Sequence, residues 1–114
     1  MRTQPLTGGT IEADAKAAVL SMLYAGNLSA ARLASALGLS LRTLQRRLAA
    51  EGTSYSALLE EVRFEIAMPR IASGRETLAD LSANLGYANQ SVLTRAVCRW
   101  TGKPPSRIRA GARA

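Results

Sequence analysis

Leu33, Leu37, Gly38 and Leu39 recur 48 residues later as Leu81, Leu85, Gly86 and Tyr87. In each copy two leucines four residues apart fall on one side of a helix. The glycine that follows suits a tight turn, and the next residue, Leu39 or Tyr87, is placed to plug a corner between helices. Ser29 and Thr77, four positions ahead of each copy, are good helix N-caps. A second helix follows each turn. Leu41, Leu44 and Leu48 share its inner face in the first copy, and Leu93 with Val97 in the second. Such a chain must build two small helical cores of the same design.

Composition agrees with an all-α fold. Of 114 residues, 21 are alanine and 16 leucine, both strong helix formers, whereas Ile and Val occur only four times each. Cys98 is the only cysteine and there is no histidine, so an internal disulfide and a zinc site of the usual Cys/His kind are both excluded. No metal site and no cofactor are expected. The longest uncharged stretch, Ala17 to Ala31, holds 15 residues and is broken by Gly26 and Asn27, too short for a membrane span. No signal peptide is apparent near Arg2, and a cytoplasmic location is expected.

The punctuation predicts the order of segments. Residues 1–11, with Pro5, Gly8 and Gly9, read as a disordered stretch or the remnant of a linker. A first subdomain spans 12–53, with helices from Glu12 to Tyr24, Ala30 to Leu37, and Leu41 to about Ala50. Val19, Leu20 and Leu23 supply the inner face of the first of these. A connecting helix occupies 54–74, capped by Ser54, and Pro69 is expected to kink it or end it early. A second subdomain spans 75–109, with helices from Leu78 to Leu85 and from about Asn89 to Trp100, then a short turn over Ser106 to Arg109. A basic tail closes the chain at 110–114.

Charge separates the segments. The net charge is +7, and thirteen of the fifteen basic residues are arginine. Residues 81–114 contain six basic side chains (Arg95, Arg99, Lys103, Arg107, Arg109 and Arg113) and no acid. Five acids instead crowd residues 60–80. A single-sign block is explained by a polyanion partner whose phosphates supply the countercharge. A basic, partly disordered tail is the alternative, which Val97, Trp100 and Ile108 disfavour.

The doubled pattern is that of a helix-turn-helix unit, and two copies with matched basic faces make a single-copy coincidence a poor explanation. On the helix after Ser40, Arg42, Gln45 and Arg46 point away from the leucines, with Thr43 and Arg47 beside them. On the helix after Asn89 the outward residues are Gln90, Ser91, Thr94, Arg95 and Arg99. Arg and Gln have the donor and acceptor geometry that fits guanine and adenine edges in the major groove.

These residues, in this order, resemble the DNA-binding domain of the AraC/XylS family of bacterial transcription regulators. The similarity covers about Leu23 to Arg109. Its strongest parts are Leu37-Gly38-Leu39-Ser40 with Arg42 to Leu48, Glu51-Gly52-Thr53-Ser54-Tyr55, Arg63 with Ala67, Leu85-Gly86-Tyr87, and Arg99-Trp100-Thr101-Gly102 with Pro105. The resemblance implies two homeodomain-like helix-turn-helix subdomains joined by one long helix, seven helices in all, with the third and sixth entering successive major grooves. It implies base reading by Arg42, Gln45, Arg46, Gln90, Ser91 and Arg95. Further base or phosphate contacts are expected from Thr43, Arg47, Thr94, Arg99, Lys103 and Arg107. The implied partners are double-stranded DNA and, for an activator, RNA polymerase. A monomer is expected, without the effector or dimerisation domain that precedes this one in longer relatives. Met68-Pro69-Arg70 departs from the family's uninterrupted connecting helix.

Two other classes compete. An enzyme would need a Gly-rich phosphate loop or a convergent carboxylate pair, and neither is visible. Cys98 beside Arg99 reads as a buried or half-buried structural thiol, because successive residues do not share a helix face. A helical protein-interaction or RNA-binding domain is the second alternative. Trp100, at the end of a core helix, reads as packing rather than as a stacking platform.

Overall fold

The computed structural model describes residues 10–113, and these form seven α-helices. They are α1 Ile11–Ala25, α2 Ala30–Ala36, α3 Leu41–Ala50, α4 Tyr55–Ser73, α5 Leu78–Asn84, α6 Gln90–Thr101 and α7 Pro105–Arg113. The linker-like segment expected over residues 1–11 lies, as far as residue 9, outside the described residues, as does Ala114. No described helix is long and apolar enough to cross a membrane.

Local chemistry explains why the helices begin where they do. Side chains of Ser29, Ser40, Ser54, Thr77 and Asn89 each accept a hydrogen bond from the amide three residues on, at 3.0 to 3.2 Å. Each bond satisfies one of the orphan amides at a helix start. Both repeated turns close on glycine in the left-handed region, Gly38 at φ 73° and Gly86 at φ 81°. A side chain at either place would be strained by the backbone alone.

α1 begins differently. Thr10 makes no side-chain cap. The Glu51 carboxylate, from the end of α3, accepts hydrogen bonds from the amides of Ile11 at 3.0 Å and Glu12 at 2.9 Å. A negative group is thereby held against the positive end of the α1 dipole. The four-residue spacing of Ile11, Ala15, Val19 and Leu23 makes the buried face. Leu20, expected on that face, points outward and is 39% exposed. The residues around it in α1 are mostly apolar or small, and packing against α2 and α3 selects the Ile11, Ala15, Val19 and Leu23 stripe instead.

The chain divides into two units, with the division inside α4 between Val62 and Arg63. In the first, α1, α2 and α3 pack on one another. Its core is built from the α1 stripe with Leu33, Ala34, Leu44, Leu48, Leu58 and Val62. In the second, α5 packs on α6 and α6 on α7. Ala67, Ile71, Leu81, Leu85, Leu93, Ala96 and Val97 form that core. Phe64 and Trp100 meet edge to face, with ring centroids 5.4 Å apart. This is the packing role expected for Trp100.

Pro69 neither ends α4 nor starts a new turn, because the helix runs without interruption to Ser73. The residue is exposed, and its ring removes one amide donor from the helix interior. Pro69→Ala is therefore expected to stabilise the fold, by up to about 3 kcal/mol on the interior-helix scale. Urea denaturation of the two proteins measures this, and a less stable alanine variant would show that the ring makes a favourable contact of its own. The C-terminus also differs from expectation. In place of a short turn and a tail, α7 continues to Arg113. Pro105 stands at its first position, where a missing amide costs nothing, and is itself buried.

Glu76 organises the entry to α5. Arg70 holds its carboxylate in a two-pronged pair, Nε to Oε1 at 2.6 Å and Nη2 to Oε2 at 2.9 Å. Asn84 Nδ2 adds a longer contact of 3.4 Å. The Arg70 hydrogen bonds hold the Glu76 carboxyl below the usual carboxylate range, outweighing the opposing effect of partial burial. A depressed pKa means this stabilisation is present above the unfolded carboxyl's pKa, about 4.3, and is lost as pH falls through the folded value. The stability gap between wild type and Glu76→Gln is expected to narrow as urea midpoints are taken from pH 7 into the acid range. A gap that stays constant would contradict the assignment.

Candidate nucleic-acid interface

α3 and α6 are the two strongly amphipathic helices that follow the glycine turns. On α3, Leu44 and Leu48 are buried, and Arg42, Gln45, Arg46 and Arg47 are exposed. Thr43 is half-buried and committed to the helix start. Its amide donates to Ser40 Oγ at 3.1 Å, and its hydroxyl accepts from Ser40 Oγ at 3.0 Å. On α6, Leu93, Ala96 and Val97 are buried, while Gln90, Ser91, Arg95 and Arg99 are exposed and Thr94 is half-buried. Cys98, expected to be buried or half-buried, is exposed as well, one position round the helix from the buried Val97. Gln90, Ser91, Thr94 and Arg95 together line an open depression of about 430 Å³. Neither helix contains an acidic residue. Lys103, between α6 and α7, and Arg107, in the first turn of α7, are exposed.

Each unit thus presents one exposed face bearing arginine and glutamine, starting at a capped helix N-terminus. In each case the capping residue lies just before the exposed face, and the glycine turn sets the helix against its partner.

Residues 33–111 match the family described as "Helix-turn-helix domain". The chain is 40% identical over 89 residues to the HTH-type transcriptional regulator VirS of Mycobacterium tuberculosis, an alignment covering 78% of this chain and 26% of that protein. It is similar to the transcriptional regulator CdpR of Pseudomonas aeruginosa, with a TM-score of 0.73 and 31% identity over 84% of this chain and 31% of that one. A DNA-binding transcriptional dual regulator of Escherichia coli K-12 shares the fold, at a TM-score of 0.84 and 24% identity, over 96% of this chain and 97% of that one.

The chain belongs to the AraC/XylS family.

The matched region is the helix-turn-helix domain of such regulators. It spans about a quarter of the length of the VirS protein that it matches.

Some arginines do structural work that charge counting alone misassigns. Arg109, one of the six cations of the C-terminal block, is turned inward. Its Nε donates to the Ile71 carbonyl at 3.0 Å and its Nη2 to the Glu76 carbonyl at 2.7 Å. It ties α7 to the end of α4, sharing the Ile71 carbonyl with the Gly74 amide, which donates to it at 3.2 Å. Arg63 acts in the same way at the second glycine turn. Nε donates to the Leu85 carbonyl at 2.8 Å and Nη2 to the Gly86 carbonyl at 3.2 Å, and the guanidinium carbon sits 4.2 Å from the Tyr87 ring centroid. Arg63 and Glu51 both lie in the motif pieces that carry the resemblance, but their jobs depend on partners 22 to 40 residues away. No local pattern reveals those.

Proposed function

We propose that α3 and α6 are both recognition helices and that the chain reads a specific duplex sequence by entering two successive major grooves. In this reading Arg42, Gln45 and Arg46 contact base edges in one groove and Gln90, Ser91 and Arg95 in the next. Arg47, Arg99, Lys103 and Arg107 hold phosphates and set register. Thr43 and Thr94, half-buried at the feet of the two faces, make secondary contacts. The observation that carries the reading is the duplication: each unit exposes an arginine and glutamine face at the start of an acid-free helix.

Arginine is suited to guanine O6 and N7, and glutamine to adenine N6 and N7. Two such helices on adjacent turns, about 34 Å apart, would let one chain cover an asymmetric site without a two-fold partner. A monomer is the binding unit in this reading, the compartment is the cytoplasm, and an activating contact with RNA polymerase would be made from the DNA-bound state. The reading is preferred to single-stranded RNA binding because Trp100 is half-buried and packs against Phe64.

Selection of bound duplexes from a random library, followed by footprinting of the winner, tests it. Two clusters of preferred bases about one helical turn apart are expected. A single cluster, or retention of RNA in preference to duplex, would replace it.

A further inference from the structure

The two glycine turns superpose in hydrogen bonding and then diverge by one residue. The Gly38 amide donates to the Ser35 carbonyl and Gly86 to Ala83, both at 3.0 Å. The Leu39 amide donates to Ala34 at 2.9 Å, and Tyr87 to Ser82 at 3.0 Å. In the first unit the cap of the recognition helix is the very next residue, Ser40, and in the second Ala88 intervenes before the cap Asn89. The longer turn leaves the α6 cap one residue further from the last bond shared with α5.

A single buried hydroxyl bridges that gap. Ser82 on α5 is fully buried, the only polar side chain in the core of the described residues. Its Oγ donates to the Asn89 carbonyl at 2.7 Å. The same carbonyl accepts the Val92 amide at 3.2 Å, so it belongs to the first turn of α6. At the matching place in the first unit stands Ala34, buried but without a hydroxyl, and there the Ser40 cap bonds within its own helix through Thr43. Arg63 meanwhile holds the other side of the same turn, at the Leu85 and Gly86 carbonyls.

We infer that Ser82 is a positioning residue for the second recognition helix, setting the height and rotation of the N-terminal turn that carries Gln90 and Ser91. A buried serine is otherwise a poor choice in a core this small, since a hydroxyl left without a partner is costly and alanine fills the matching site. Bidentate base contacts tolerate little misplacement, so a small shift of this turn is read as lost discrimination rather than as lost general affinity. The inference rests on α6 being a base-reading helix.

Binding of wild type, Ser82→Ala and Arg95→Ala to a library of singly substituted operators, at a temperature where all are folded by circular dichroism, tests it. Arg95→Ala identifies the half of the operator read by α6. If it flattens no half, the reading of α6 itself fails, independently of Ser82. Ser82→Ala is expected to reduce discrimination in that same half by about five-fold or more, the low end of one good base contact, and to leave the α3 half unchanged. Ser82→Cys, similar in size but a weaker donor, is expected to fall between, and it serves as the test variant if alanine prevents folding. A loss spread evenly over both halves, or no loss, would overturn the inference and leave Ser82 as a packing residue.

Discussion

Raising monovalent salt from about 50 to 200 mM is expected to weaken DNA binding about a thousand-fold, the response of a protein that neutralises roughly six phosphates. Each neutralised phosphate releases condensed counterions, so the log–log slope approaches about −5 for six contacts. The structure refines which cations are available. Arg109 is engaged with the carbonyls of Ile71 and Glu76, and Arg70 with Glu76. Arg47, Lys103 and Arg107 stay exposed, as do the three arginines of the two recognition faces. Binding isotherms at four or five salt concentrations give the slope. A flat response would remove the electrostatic basis of the proposed interface, and a slope much steeper than expected would bring in cations outside these two faces.

Arg46→Ala is expected to cost about 1–3 kcal/mol of specific binding, five-fold to more than a hundred-fold, and far less on scrambled DNA. Arg46 is exposed one helical turn beyond Arg42, on the side opposite the buried Leu44 and Leu48. Its removal leaves core and caps untouched, so the loss reports the DNA contact and not the fold. Titration of operator and scrambled duplex with both proteins separates the two roles. Equal loss on both duplexes would move Arg46 to the phosphate-contacting group. Arg107→Ala offers the contrast, since a phosphate contact weakens both duplexes alike and lowers the salt slope by about one.

The second unit shows how legibility varies within one segment. Thr77, Leu81, Leu85 and Gly86 announce α5 and its turn because a cap, a four-residue apolar spacing and a left-handed glycine are each readable from neighbours in the chain. Ser82, between two of those leucines, carries no such signal. A serine in a short helix is unremarkable until the fold brings Asn89 to it. Arg109 shows the converse error. As one of six cations in an acid-free block it counts toward a polyanion surface, yet two carbonyls more than 30 residues away turn it inward. Leu20 was misplaced for a subtler reason. Its α1 neighbours are nearly all apolar or small, so periodicity alone does not choose the face, and contact with α2 and α3 does.

From its amino acids alone the chain declared six of its seven helices, two repeated turn units and the arginine- and glutamine-bearing faces, while the seventh helix was implied only by the family resemblance. Those features are written in short-range terms: caps within three residues, apolar spacing of three or four, and charge by segment. Only the tertiary structure decided that Glu51 caps α1, that α4 continues through Pro69, that Arg63 and Arg109 serve carbonyls, and that Ser82 reaches the first turn of α6. Each of these depends on which groups folding brings within about 3 Å, or on which side of a helix meets water, and a hydrogen bond that short cannot be inferred from residue types whose separation in space is unknown.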